Sequence, residues 1–400
     1  MNESEIRRAL RGVAVPDEAL SAERSWRVVS AAFESREPVR WTRRHRGLVV
    51  AFAGAALLAA AVLVAVLTPP GQAVVDRFRD AVGRTPSQPA LVRLPAPGRL
   101  LVNSSAGPWV VHEDGSKRLL GDYGDASWSP RGLYVVAAEG QHLVAVDAET
   151  GEVRWSLART LPVRDPRWSG GGLDTRIAYR AGSELHVVAG DGSPDAVLAE
   201  GVAPVAPAWK PDSHVLAYAA GDGRVHVVDV DSRRQLWRTR TVKGVRELAF
   251  SGNRLAVSTS TRVIVFRRGK PTPFLELPQG HVLLDTAILR FGGVLYADYD
   301  PQNDATALFR SDCTIAGACR LVPDVRMFEG PGRISNLVTS PDRAWITAGW
   351  AAADQFLFFE SAPSPPRRLG KVDAVSNVTA EFSPGDDAGG AFPVIAGWVP

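Results

Sequence analysis

Trp128-Ser129-Pro130, Trp168-Ser169-Gly170, Trp209-Lys210-Pro211 and Phe250-Ser251-Gly252 share one form: an aromatic residue, then Ser or Lys, then Pro or Gly. They follow one another at steps of 40, 41 and 41 residues. A further step of 41 lands on Phe291-Gly292-Gly293, and Thr339-Ser340-Pro341 and Phe382-Ser383-Pro384 come after intervals of 48 and 43. Seven anchors result: Trp128, Trp168, Trp209, Phe250, Phe291, Thr339 and Phe382. An aromatic at a fixed structural period is a packing residue before it is a ligand box, so these side chains are expected to fill gaps between neighbouring units.

After each anchor, β-rich runs alternate with turn residues. In the first copy the runs are Leu133–Ala138, His142–Asp147 and Val153–Ser156; in the third they are Val215–Ala219, Arg224–Asp229 and Gln235–Thr239. Four short strands in about 40–45 residues is the period of a β-propeller blade. Seven anchors predict an all-β, seven-bladed β-propeller over 99–400. The last anchor leaves only 18 residues, about two strands including Phe392–Trp398. Residues 100–121 are expected to supply the rest of a shared blade that closes the ring. Gly-Asp-Gly at 190–192 and 221–223 reads as hairpin turns, because glycine supplies the positive φ such turns need.

Anchors followed by Gly or Asp, as in Trp128-Ser129-Pro130-Arg131-Gly132 and Trp209-Lys210-Pro211-Asp212, resemble the repeats of TolB-like and WD-repeat-like propellers. The resemblance spans roughly 100–400 and implies architecture, not activity. Trp-Asp dipeptides are missing from the repeats, and Gly-His occurs once, at Gly280-His281. Asp147-Ala148-Glu149-Thr150-Gly151-Glu152-Val153-Arg154-Trp155 is similar to the Asp-x-x-Thr-Gly-x-x-x-Trp repeat of quinone-cofactor dehydrogenases, with a degraded copy at Asp229–Trp237. Two blades of seven match, so no cofactor and no enzymatic activity is expected. No metal site is expected either: no pair of histidines has His-Glu-x-x-His spacing. His142, His186 and His226 recur at 44 and 40 residues and read as an equivalent blade position.

The rest of the chain is of another kind. Gly47 to Leu67 is 21 residues without Asp, Glu, Lys or Arg, enough at about 1.5 Å per residue to cross the roughly 30 Å hydrocarbon core of a bilayer. Arg36, Arg40, Arg43, Arg44 and Arg46 precede it, so the positive-inside rule puts 1–46 in the cytoplasm and the propeller outside the cytoplasmic membrane. Forty-six residues before the run, and its length, fit an uncleaved signal-anchor better than a cleaved leader. The expected organisation is a cytoplasmic helical segment at 1–46, a transmembrane helix at 47–68, a juxtamembrane helix and linker at 69–98, and the propeller. Only 5 of the 46 basic residues are Lys, a skew typical of a high-GC bacterium. The net charge of +3 sits on 1–46, which leaves the remainder neutral and argues against a nucleic-acid partner.

Ala22, Trp26, Val29 and Phe33 recur at helical spacing and form an apolar face that a partner would cover. The layout of short helical segment, span and outer domain is similar to membrane anti-sigma factors, which implies a sigma factor as a cytoplasmic partner. The His-x3-Cys-x2-Cys pattern of the zinc-binding members is absent from 1–46. The two cysteines, Cys313 and Cys319, are separated by five residues at a hairpin tip on the oxidising side, and a disulfide is expected between them. The expected role is a binding or sensing scaffold for a protein or envelope component, with the regulator and the propeller enzyme as alternatives.

Overall fold

The computed structural model describes residues 93–94, 97–169, 174–288, 294–311, 324–360, 372–383 and 391–400. Contacts divide the chain into two units, Met1–Arg84 and Thr85–Pro400, and all described residues belong to the second. The helix face of Ala22, Trp26, Val29 and Phe33, the apolar run 47–67, Phe291, and the Cys313–Cys319 pair lie outside the described residues. Among the described residues no helix is long and apolar enough to cross a membrane.

The described residues build seven four-stranded antiparallel sheets, the blades of a seven-bladed β-propeller. Blade 1 is Ala126–Trp128, Tyr134–Glu139, His142–Asp147 and Val153–Ala158, from the innermost strand outward. Blade 2 is Val163–Trp168, Arg176–Ala181, Glu184–Ala189 and Asp195–Ala199. Blade 3 is Ala208–Trp209, Val215–Ala219, Val225–Asp229 and Arg234–Arg238. Blade 4 is Glu247–Ser251, Arg254–Ser258, Arg262–Arg267 and Lys270–Glu276. Blades 5 and 6 begin at Val282–Ile288 and Ile334–Thr339. These strands form because the second and third of each blade are almost wholly buried, as in the Tyr134–Glu139 and His142–Asp147 pair, while the fourth alternates between solvent and the next blade.

Blade 7 departs from the expected closure. It takes one strand from the C-terminus, Val394–Val399, and three from the start of the domain, Arg99–Ser104, Gly107–Val111 and Lys117–Leu119. The C-terminal strand is the innermost, with Leu100 opposite Trp398 and Arg99 opposite Val399. Trp398-Val399-Pro400 therefore holds the position that Trp128-Ser129-Pro130 holds in blade 1. Phe382 is not on an inner strand: it ends a five-residue helix, α1 (Val378–Phe382). That helix is fastened to blade 6 by Asp354, whose carboxylate accepts the Thr379 N–H (2.8 Å) and hydroxyl (2.7 Å). Phe382 is buried edge-on to Trp109 of blade 7 and tilted against Phe356 of blade 6, so α1 plugs the seam between the two blades.

The innermost strands neighbour one another around the axis and carry carboxylates. Asp125 Oδ2 accepts the Asp165 N–H of blade 2 (2.9 Å), and Asp285 Oδ2 accepts the Leu337 N–H of blade 6 (2.8 Å). In both cases the acceptor reaches an irregularity in the next inner strand, where Asp165 (φ 50°) or Asn336 (φ 59°) takes the left-handed conformation. Such an irregularity turns backbone N–H groups away from their own sheet, and the carboxylate satisfies them. Glu247, on the inner strand of blade 4, faces the Thr286 hydroxyl across the same seam type (3.4 Å). Burial, then the Asp285 charge, raises the Glu247 carboxyl above the usual carboxylate range, and burial raises Asp285 beside it.

Candidate functional site

Among the described residues, two grooves between blades open on the side of the ring that carries the turns joining strands 1–2 and 3–4 of each blade. The larger, between blades 1 and 2, has a volume of about 640 Å³. Its build follows from the Asp147–Trp155 segment. Asp147 ends the third strand, and its Oδ1 accepts the N–H groups of Glu149 and Thr150, each at 3.0 Å. Its Oδ2 accepts from Arg154 (2.8 Å). Burial works to raise the Asp147 carboxyl, but the Thr150 N–H, Arg154 and the Glu149 N–H outweigh it and hold it below the usual range. Gly151 supplies the positive φ (77°) that closes the turn.

The tight turn aims the next strand so that Trp155 leaves blade 1 and lands on blade 2. Its indole N–H donates to the Gly190 carbonyl (3.1 Å). A β-carbon on Gly192 would stand 2.9 Å from the ring, so glycine at 192 is what lets the Trp seat. From the other side the anchor Trp168 of blade 2 stacks on Tyr134 of blade 1 (6.4 Å between ring centroids). The blades are thus clasped twice, and the two indoles floor the groove. Its rim carries both signs: Arg131 and Arg154 on blade 1, Asp174 and Asp191 on blade 2. Leu133 stands at the edge, 56% exposed.

The second groove, about 440 Å³, repeats this construction between blades 3 and 4. Asp229 Oδ1 accepts the Ser232 N–H (2.9 Å) and hydroxyl (2.7 Å), the Trp237 ring lies over Gly269, and Phe250 takes the place of Trp168. The rim is different: Lys210, Arg267 and Arg268, with Asn253.

Trp209 donates its indole N–H to the Arg167 carbonyl of blade 2 (2.8 Å), and Trp128 packs on Gly397 of blade 7 and under Arg99. Each of these anchors reaches the preceding blade. Thr339 ends the inner strand of blade 6, half-buried. Gly192 and Gly223, in the two Gly-Asp-Gly segments, both have positive φ in turns. The three histidines do not share one position. His186 and His226 sit opposite Tyr179 and Tyr218 on the second and third strands of their blades and stack on them at 5.1 and 5.2 Å. His142 pairs with Glu139 at a hairpin end. None is on an innermost strand, so they do not ring the axis. Among the described residues no group of three or more His, Cys, Asp or Glu is placed to hold a metal ion.

No protein-family model and no curated protein matches the chain. Solved structures do. Hsv2 of Kluyveromyces lactis aligns at a TM-score of 0.51 and 11% identity, over 69% of this chain and 95% of that one. BamB from Moraxella catarrhalis aligns at 0.43 and 16% identity over 72% and 86%, and Kuenenia stuttgartiensis hydrazine synthase at 0.46 and 14% over 59% and 75%. At such identities the likeness is one of fold, and it is carried by the first of the three. It agrees with the seven-bladed ring described above.

Proposed function

We propose that the chain is a single-pass membrane protein that presents its propeller outside the cytoplasmic membrane as a binding scaffold for a protein or an envelope component. The observation that carries the binding role is the groove between blades 1 and 2. It is open and floored by two indoles, its rim carries Arg131, Arg154, Asp174 and Asp191, and Leu133 is exposed beside it. Rigid walls, an apolar floor and a few fixed polar groups are the makeup of a recognition site. The anchoring role is supported by the apolar run 47–67 and the arginines before it. Residues 1–46, with the face of Ala22, Trp26, Val29 and Phe33, serve as the cytoplasmic anchor or relay. A disulfide between Cys313 and Cys319 belongs to the same reading, since it needs the oxidising side.

Placing a photoreactive phenylalanine analogue at position 133 in the full-length protein and irradiating whole cells tests the binding role. One discrete adduct, lost in Arg131→Glu, is expected. No adduct, or one indifferent to the rim charges, removes it. A membrane-impermeant maleimide should label a Ser232→Cys variant in intact cells; labelling only after lysis would place the propeller inside.

A further inference from the structure

Residues 224–270 hold twelve Lys and Arg against three Asp and Glu, although the chain outside 1–46 is neutral. The fold gathers this charge onto blades 3 and 4. The three acids do not offset it at the groove. Glu247 lies on the innermost strand, facing Thr286 of blade 5; Asp229 is occupied by its own turn; Asp231 pairs with His214 of its own blade and reaches across to Arg176 of blade 2. Among the described residues no carboxylate forms an ion pair with Lys210, Arg267 or Arg268, and Arg267, Arg268 and Lys270 are exposed. Between these cations lies the apolar floor of Val227, Trp237 and Phe250, with Leu236 39% exposed at its edge.

We infer that the groove between blades 3 and 4 binds an acidic protein segment, seating one large apolar side chain on Trp237 and Phe250 while flanking carboxylates meet Lys210, Arg267 and Arg268. A volume of about 440 Å³ holds one such side chain with the backbone beside it. Uncompensated cations recruit carboxylates, and the guanidinium groups of Arg267 and Arg268 suit them bidentately. A phosphate polymer would satisfy the cations but leave the indole and phenyl surface wet; a peptide covers both. The inference rests on the binding-scaffold reading and names the partner chemistry of a second groove.

The test uses the full-length protein in neutral detergent and a fluorescein-labelled Glu-Asp-Phe-Asp-Glu peptide, read by anisotropy. Arg267→Glu/Arg268→Glu should weaken binding at least tenfold, and Arg343→Glu, an exposed position on blade 6, should leave it within twofold. Exchanging the peptide Phe for Ser should cost about tenfold, since burying a Phe side chain is worth at least that factor. Unchanged thermal melting of the variants would show that these surface charges leave the fold intact. Binding that ignores the charge reversal, equal binding of the Ser peptide, or tighter binding of a short DNA duplex or of phosphatidylglycerol vesicles overturns the inference. If it fails while the adduct at position 133 persists, the scaffold reading stands and only the ligand of this groove falls.

Discussion

The groove between blades 1 and 2 and the groove between blades 3 and 4 are two castings from one mould. In both, an Asp at the end of the third strand folds the turn, a Trp eight residues later crosses to the next blade, and a glycine there receives it. Their rims differ. The first mixes Arg131 and Arg154 with Asp174 and Asp191; the second has Lys210, Arg267 and Arg268. The repeated residues set the spacing of the blades, and the residues between them vary from groove to groove. The Asp-x-x-Thr-Gly-x-x-x-Trp likeness to quinone enzymes is thereby accounted for as a blade-to-blade clasp.

If that division holds, changes in the clasp should alter stability and changes in the rim should not. The largest effect is expected for Trp155→Ala, about 3 kcal/mol by urea unfolding, because it empties the seam and strands the Gly190 carbonyl. Trp237→Ala, in the second clasp, empties a seam of the same build and should cost a comparable amount; no loss would mean that its contact with Gly269 does not clasp the blades. Next comes Gly192→Ala, at about 2 kcal/mol, from a positive φ of 92° and a clash with the Trp155 ring. Gly151→Ala, with a similar φ of 77° but open space around it, should cost only about 1 kcal/mol.

Glu247→Gln probes the axis behind the second groove. Its carboxyl is raised in the folded state, so the folded protein binds more protons than the unfolded chain between about pH 4.5 and 8, and stability falls as pH rises through that window. Gln should flatten the fall in part, because the Asp285 carboxyl is raised beside it and continues to contribute. The smallest effect is that of Asp147→Ala, about 1 kcal/mol at neutral pH. Because the Asp147 carboxyl is depressed on folding, its contribution is present above the unfolded value of 3.8 and fades as the pH drops below it. The variant and the parent should therefore converge in acid.

Much of this was legible in the sequence. The strand runs Val215–Ala219 and His142–Asp147 coincide with observed strands, because buried second and third strands leave continuous apolar runs. The count of seven blades holds as well, but Phe382 ends a helix and is not the anchor of an inner strand. Trp398-Val399-Pro400 repeats the aromatic-x-Pro form in plain view; its interval of 59 from Thr339 hid it, since α1 and its flanking residues lengthen that copy. The bulges at Asp165 and Asn336 have no one-dimensional signature, because they exist to meet a carboxylate from another blade. The basic sector was concealed by averaging: a neutral total over 47–400 covered a stretch rich in arginine, and only the ring brings Lys210 beside Arg267 and Arg268.

The central claim is that recognition resides on the groove-bearing side of the ring. Parallel photocrosslinking in cells, with the analogue at position 133, at position 236 and at position 261 on the opposite turns, tests it most directly. Adducts at 133 and 236, with only the second abolished by Arg267→Glu/Arg268→Glu, are the predicted result. Adducts at 261 alone would contradict it.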